Sequence, residues 1–137
     1  MAIETSSEIN PLQDFPTHRR WAVVGVSSNP VKFGNKIYFD LKNAGYDVYG
    51  VNPRLAELDG DKIYPTLKEL PTVPDVVNVV LPPKLGEAVV DECVELGIQR
   101  IWFQPGAESD DVVSKAEAAG MTVVHNACIM IQKQSWD

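Results

Sequence analysis

Short, nearly unbroken apolar runs alternate along this chain with segments in which apolar residues recur every three or four positions. The runs at residues 22–26, 46–51, 76–81, 100–103 and 121–125 read as five strands. Their β-branched residues do not alternate with polar ones, which marks strands covered on both faces. Between them the period lengthens. Ile37, Phe39, Leu41 and Ala44 supply one face of a helix that Gly45 closes. Ala88, Val89, Cys93, Val94 and Leu96 supply the inner face of a second helix over 85–96, with Gly97 as its cap. Ser109, followed by Asp110 and Asp111, opens a third helix whose acids suit the positive end of its dipole, and Gly120 ends it.

Two stretches are less regular. Residues 1–20 read as a leader packed on the domain, with Ile9, Leu12 and Phe15 at helical spacing, Asn10-Pro11 as cap and first turn, and Pro16 as a stop. Residues 55–75 read as a shortened crossover, with Asp59-Gly60-Asp61 as a turn and 66–70 as about one helical turn. Strands alternating with helices through short turns predict a three-layer α/β fold. Its expected core is a five-stranded parallel sheet with strand order 3-2-1-4-5 and right-handed crossovers. At 137 residues the chain is expected to form one domain, 1–137.

The loops at the carboxyl ends of the strands carry the candidate chemistry, because ligands of such sheets bind where the strand order reverses. The first loop, GVSSNPVKFGNK, runs from a strand into a helix and so brings free backbone N–H groups and a positive dipole end to the sheet mouth, the makings of a phosphate seat. Its glycines, Gly25 and Gly34, do not form the G-x-G-x-x-G of a plain dinucleotide fingerprint. Asn52-Pro53-Arg54 stands at the end of the second strand, where an NAD site would place an acid. An arginine there suits a further phosphate on the ribose, which points to NADP or coenzyme A. Lys32, Lys36, Arg54 and Lys84 gather on this rim of a chain whose net charge is −7.

The set GVSSNPVKFGNKI, GYDVYGVNPRLAELDGDKIYPTLKELP, VVLPPK, IWFQPGAES and the later Cys128 resembles the stand-alone coenzyme A-binding proteins. These are related to the CoA-binding domain of the succinyl-CoA synthetase α subunit and of nucleoside-diphosphate-forming acyl-CoA synthetases. The resemblance spans about Trp21 to Ile131 and implies a Rossmann-like domain with coenzyme A as its ligand. Carried onto matching positions, it implies that Gly25, Ser27, Ser28, Lys32, Gly34 and Asn35 surround the diphosphate. Asn52, Pro53 and Arg54 would meet the adenosine ribose and its phosphate. Pro82 and Pro83 would line the adenine or pantetheine path, and Gln104, Pro105 and Gly106 would close the far side.

Composition narrows the functions further. The acidic balance argues against nucleic acid or an anionic membrane surface as partner. No apolar stretch reaches membrane-spanning length, and residues 1–15 lack the pattern of a signal or transit peptide, so a cytoplasmic location is expected. Cys93 and Cys128 imply no disulfide framework, and with His125 they lack the partners of a zinc site or a catalytic triad. Trp102 and Phe103 read as core. No acid–base pair stands over a reacting centre, so the expected role is a binding or regulatory module for CoA or a short acyl-CoA, without catalysis of its own. The alternatives are a minimal NADP-binding reductase and a subunit lending its CoA site to a separate synthetase partner. The tail, with Trp136 and residues 129–131, either closes the domain's own edge or forms a homodimer.

Overall fold

The computed structural model describes residues 10–136, so Ile9 and the first part of the expected leader lie outside the described residues. A short helix α1 (Pro11–Asp14) begins the described chain, with the Asn10 side chain accepting from Leu12 N at 3.0 Å as the cap-and-proline pair predicts. The chain then runs through β1 (Arg20–Val24), α2 (Phe33–Asn43), β2 (Asp47–Val51), β3 (Glu57–Leu58) and β4 (Asp61–Tyr64). It continues through β5 (Val76–Val79), α3 (Pro83–Leu96), β6 (Arg100–Phe103), α4 (Asp110–Ala118), β7 (Thr122–Val124) and α5 (Ile129–Gln132).

The α/β layering is as expected, but the sheet is not five-stranded. It has seven strands in the order β3-β4-β2-β1-β5-β6-β7, all neighbours parallel except β3 and β4. The third predicted strand, β5, therefore lies beside β1, where the order 3-2-1-4-5 had placed the fourth. The seat next to β2 belongs to β4, which lies within the stretch read as a shortened crossover. Asp59 and Gly60 both take positive φ (53° and 87°), so they form the tight two-residue turn that matches strand twist. Leu58 then faces Asp61 across the turn. Counting β4, the six parallel strands run in the order of a doubly wound sheet, which reverses between β1 and β5.

Successive residues of β1 feed two cores. Trp21 and Val23 face α2 and α5, in a cluster with Phe15, Ile37, Tyr38, Leu41, Trp102 and Ile129. Ala22 and Val24 face α3 and α4, with Val89, Val90, Cys93, Phe103, Val112 and Ala116. The inward stripe of α3 is Gly86, Val89, Val90 and Cys93, whereas Ala88 and Val94 are exposed, so the expected inner face is turned by about one residue. Gly97 takes a left-handed cap at the end of α3, and Ser109 Oγ caps α4 by accepting from Val112 N at 3.1 Å. The tail folds back on its own domain: Trp136 N donates to Ala44 O, its ring stands edge-on to Tyr46, and Gln134 N donates to the Tyr46 hydroxyl. Ile131, 79% exposed, is left outside that packing.

Burial pushes the Cys93 thiol up to about 12, with the Glu92 charge a smaller cause. The unfolded thiol ionises near its ordinary value of 9.0, so above that pH the unfolded chain sheds a proton that the native chain keeps, and stability falls. Urea midpoints compared between pH 8 and pH 10 are expected to decline less steeply for Cys93→Ala than for the unaltered protein, even though the variant starts from lower stability.

Candidate functional site

Three backbones converge at the reversal point between β1 and β5. Gly25 leaves β1 with φ 108° and its N–H donates to Val51 O at 3.0 Å, while Val80 N donates to Val24 O at 2.8 Å. A Cβ on Gly25 would stand 2.6 Å from Val80 O, and one on Gly34 would stand 2.1 Å from Gly25 O. Both glycines are thus required by close approach, and they draw the first turn of α2 down onto the end of β1. Lys32 occupies the cap position of α2 with extended backbone, and no side chain caps this helix. Its leading N–H groups and dipole face the cleft beside the sheet, a ready seat for an anion.

The cleft has a volume of about 660 Å³. Of the residues singled out in the sequence, it is lined by Gly25, Ser27, Lys32, Gly34, Asn52, Pro53 and Arg54. Among the described residues no ion pair engages Lys32 or Arg54. Two candidates act from behind. The Asn35 side chain is buried and donates to Ser27 O at 2.9 Å. Asn52 donates from Nδ2 to Val26 O at 2.8 Å and accepts at Oδ1 from Arg54 N at 2.8 Å, which ties the loop after β2 to the loop after β1. Ser27 Oγ accepts from Asn29 N, and Ser28 is exposed outside the lining. Lys36 and Lys84, placed on the rim by sequence, are exposed and line no part of this cleft.

A second hollow of about 320 Å³ adjoins the first through Val80 and Leu81, which line both. Pro82, Pro83, Gln104, Pro105 and Gly106 line it, with no charged side chain among its residues. The Gln104 side chain, however, is turned inward: the residue is 3% exposed, Oε1 accepts from Ile129 N and Asn78 Nδ2, and Nε2 donates to Cys128 Sγ at 3.3 Å. Its amide holds the 128–129 turn against the sheet and leaves the hollow to its backbone. Cys128 is half-buried, Cys93 fully buried, and both are free thiols. His125 is exposed beside a separate hollow, with Ser109, Ser114, Asn126 and the acids Glu108, Asp110 and Glu117. Among the described residues no group of three His, Cys, Asp or Glu is placed to hold a metal ion.

The apolar walls of the main cleft, Val24, Val26, Phe33, Val51, Val80, Leu81 and Leu85, escaped the sequence reading. Valines and leucines at strand ends look the same in sequence whether they face a core or a ligand.

Comparison with known proteins matches residues 19–134 to the family described as the CoA binding domain. The chain belongs to that family. Among its relatives is the uncharacterized Bacillus subtilis protein YneT, 30% identical over 82% of this chain and 84% of that protein. Another is the Pyrococcus furiosus ADP-forming acetate–CoA ligase II subunit alpha, 30% identical over 88% of this chain but only 29% of the subunit. A conserved hypothetical protein from Pyrococcus furiosus shares the fold with a TM-score of 0.80 and 45% identity, covering 83% of this chain and 98% of that one. The CoA-binding domain described here therefore corresponds to a small stand-alone protein in some relatives and to a minor part of a ligase subunit in others. Among its described residues, no helix is long and apolar enough to cross a membrane.

Proposed function

We propose that this chain works as a cytoplasmic, single-domain binding or regulatory module for coenzyme A or a short acyl-CoA. The observation that carries the reading is the joining, in one cleft, of an uncapped helix N-terminus, the cations Lys32 and Arg54, and the glycine pair that lets the start of α2 sit against the end of β1. CoA carries a diphosphate and a separate ribose phosphate, and this donor set fits both. On this reading the N–H groups at the start of α2, with Ser27 and Lys32, take the diphosphate, and Ser28, outside the lining, takes no part. Pro53 and Arg54 take the ribose and its phosphate, while Asn52 and Asn35 fix the loops that present them. The neighbouring hollow, with Pro82, Pro83 and the backbone of Gln104, Pro105 and Gly106, receives the pantetheine arm, and its lack of charge suits that neutral chain.

Titration calorimetry with CoA, dephospho-CoA and NADPH tests the reading. CoA is expected to bind, and loss of its 3′-phosphate is expected to cost about 1.5–3 kcal/mol, the worth of a charge-assisted hydrogen bond. Arg54→Ala should cost CoA a similar amount and abolish the difference between CoA and dephospho-CoA. Tighter binding of NADPH than of CoA would favour the minimal reductase instead. A second reading, a CoA-site subunit for a separate ligase, draws on the match to 29% of a ligase α subunit. Co-purification of this chain with an ATP-grasp protein would support it.

A further inference from the structure

Among the described residues, six large apolar side chains remain exposed, and two of them, Phe33 and Leu85, line the main cleft. Phe33 is the first residue of α2 and is 59% exposed, while Leu85 is the third residue of α3 and is 57% exposed. The inward faces of α2 and α3 pack on opposite sides of the sheet. The two side chains therefore rise from opposite layers and flank the cleft where the strand order reverses. Apolar groups left in water at the mouth of a polar cleft call for an occupant.

We propose that Phe33 and Leu85 are the two walls of a purine slot, in which the base of the bound nucleotide stacks on the Phe33 ring. This rests on the CoA reading above and assigns the place of its base. Covalent reach restricts where the base can lie. A diphosphate at the start of α2 and a ribose phosphate at Arg54 bracket the ribose, so the base, one glycosidic bond away, stays within the same cleft. The rest of that cleft's apolar lining is aliphatic: Val24, Val26 and Val51 are buried, and Val80 and Leu81 are half-buried. Phe33 alone among the lining residues offers an open aromatic face. A planar heterocycle gains most by covering such a face, with Leu85 closing the other side.

Three ligands separate the halves of CoA: CoA itself, adenosine 3′,5′-bisphosphate, which lacks pantetheine, and 4′-phosphopantetheine, which lacks the base. Phe33→Ala is expected to weaken CoA and adenosine 3′,5′-bisphosphate alike, by about 5- to 150-fold, the range measured for loss of base–aromatic stacking. It should leave 4′-phosphopantetheine unchanged. Phe33→Tyr should restore binding, whereas Phe33→Leu should not, because bulk without a π face does not stack. The fluorescence of an ethenoadenine analogue of CoA should be quenched on binding the unaltered protein and less so by Phe33→Ala. Both side chains are exposed, so thermal melts of the variants should overlay the parent. CoA binding indifferent to Phe33→Ala, or 4′-phosphopantetheine weakened as much as CoA, would overturn the slot while leaving the CoA reading intact. An unaltered protein that binds neither CoA nor adenosine 3′,5′-bisphosphate would overturn both.

Discussion

Trp102→Ala is expected to lose about 3–5 kcal/mol of stability, a large share of the roughly 5–15 kcal/mol that holds a domain of this kind folded. Trp102 is fully buried in β6, with its ring 5.7 Å from that of Trp21 and 6.2 Å from that of Phe15. These three rings tie the segment before β1, the central strand and the far half of the sheet into one cluster, so truncation leaves a cavity that cannot collapse without moving all three. The indole also donates to Ala127 O at 2.8 Å. Trp102→Phe separates the two effects: most of the apolar volume stays, but Ala127 O loses its donor, so a smaller cost of about 1–3 kcal/mol is expected. Guanidinium midpoints for the two variants test this. Equal losses would mean that the hydrogen bond, and not the ring volume, carries the stability.

Gly34→Ala is expected to damage stability and binding together. The added Cβ would stand 2.1 Å from Gly25 O, 3.0 Å from Gly25 C and 3.2 Å from Val26 Cα, all backbone atoms that cannot rotate aside. Relief requires α2 to lift off the end of β1, at a cost at or above the usual 1–3 kcal/mol for an overpacked site. For a chain of this size that corresponds to a fall in melting temperature of roughly 3–15 °C or more. Lifting α2 also moves its leading N–H groups away from the loop that carries Arg54, so CoA affinity should fall even at temperatures where the variant is fully folded. Gly120→Ala serves as the comparison. Gly120, unlike Gly34, has positive φ (87°) but nothing within 4 Å of its added Cβ, so that variant should lose some stability and keep its ligand affinity.

Where sequence and structure part, the cause is identifiable. The Asp59-Gly60 dipeptide carried a strong hairpin signal, but strands of two and four residues give too short a period to stand out as apolar runs. Missing β4 displaced β5 from its true seat, since the place beside β2 had to be filled by something. The resemblance set Gln104 at the far side of the ligand, yet its amide points into the protein, where Oε1 accepts from Ile129 N at the start of α5. For Trp136 the sequence left open whether it meets a second copy or closes the domain's own edge, and it covers Tyr46 and Gly45, a contact between segments some ninety residues apart.

By itself the sequence determined the alternation of strands and helices, the caps at Gly97 and Ser109, and the passage of the chain from Gly25 to Lys36 out of a strand, through a small-residue loop and into a helix. Each of these depends on residues close together in the chain, where backbone freedom, apolar period and helix dipole act locally. It also showed an arginine in place of an acid after β2. The tertiary structure alone decided that β5 lies beside β1, that Lys32 and Arg54 share one cleft while Lys36 and Lys84 do not, and that Asn35, Asn52 and Gln104 serve as braces. It alone brought Phe33 and Leu85 to face the same space from opposite sides of the sheet. Those outcomes depend on which distant segments compete for the same neighbour, and that competition is resolved only when the whole core is packed.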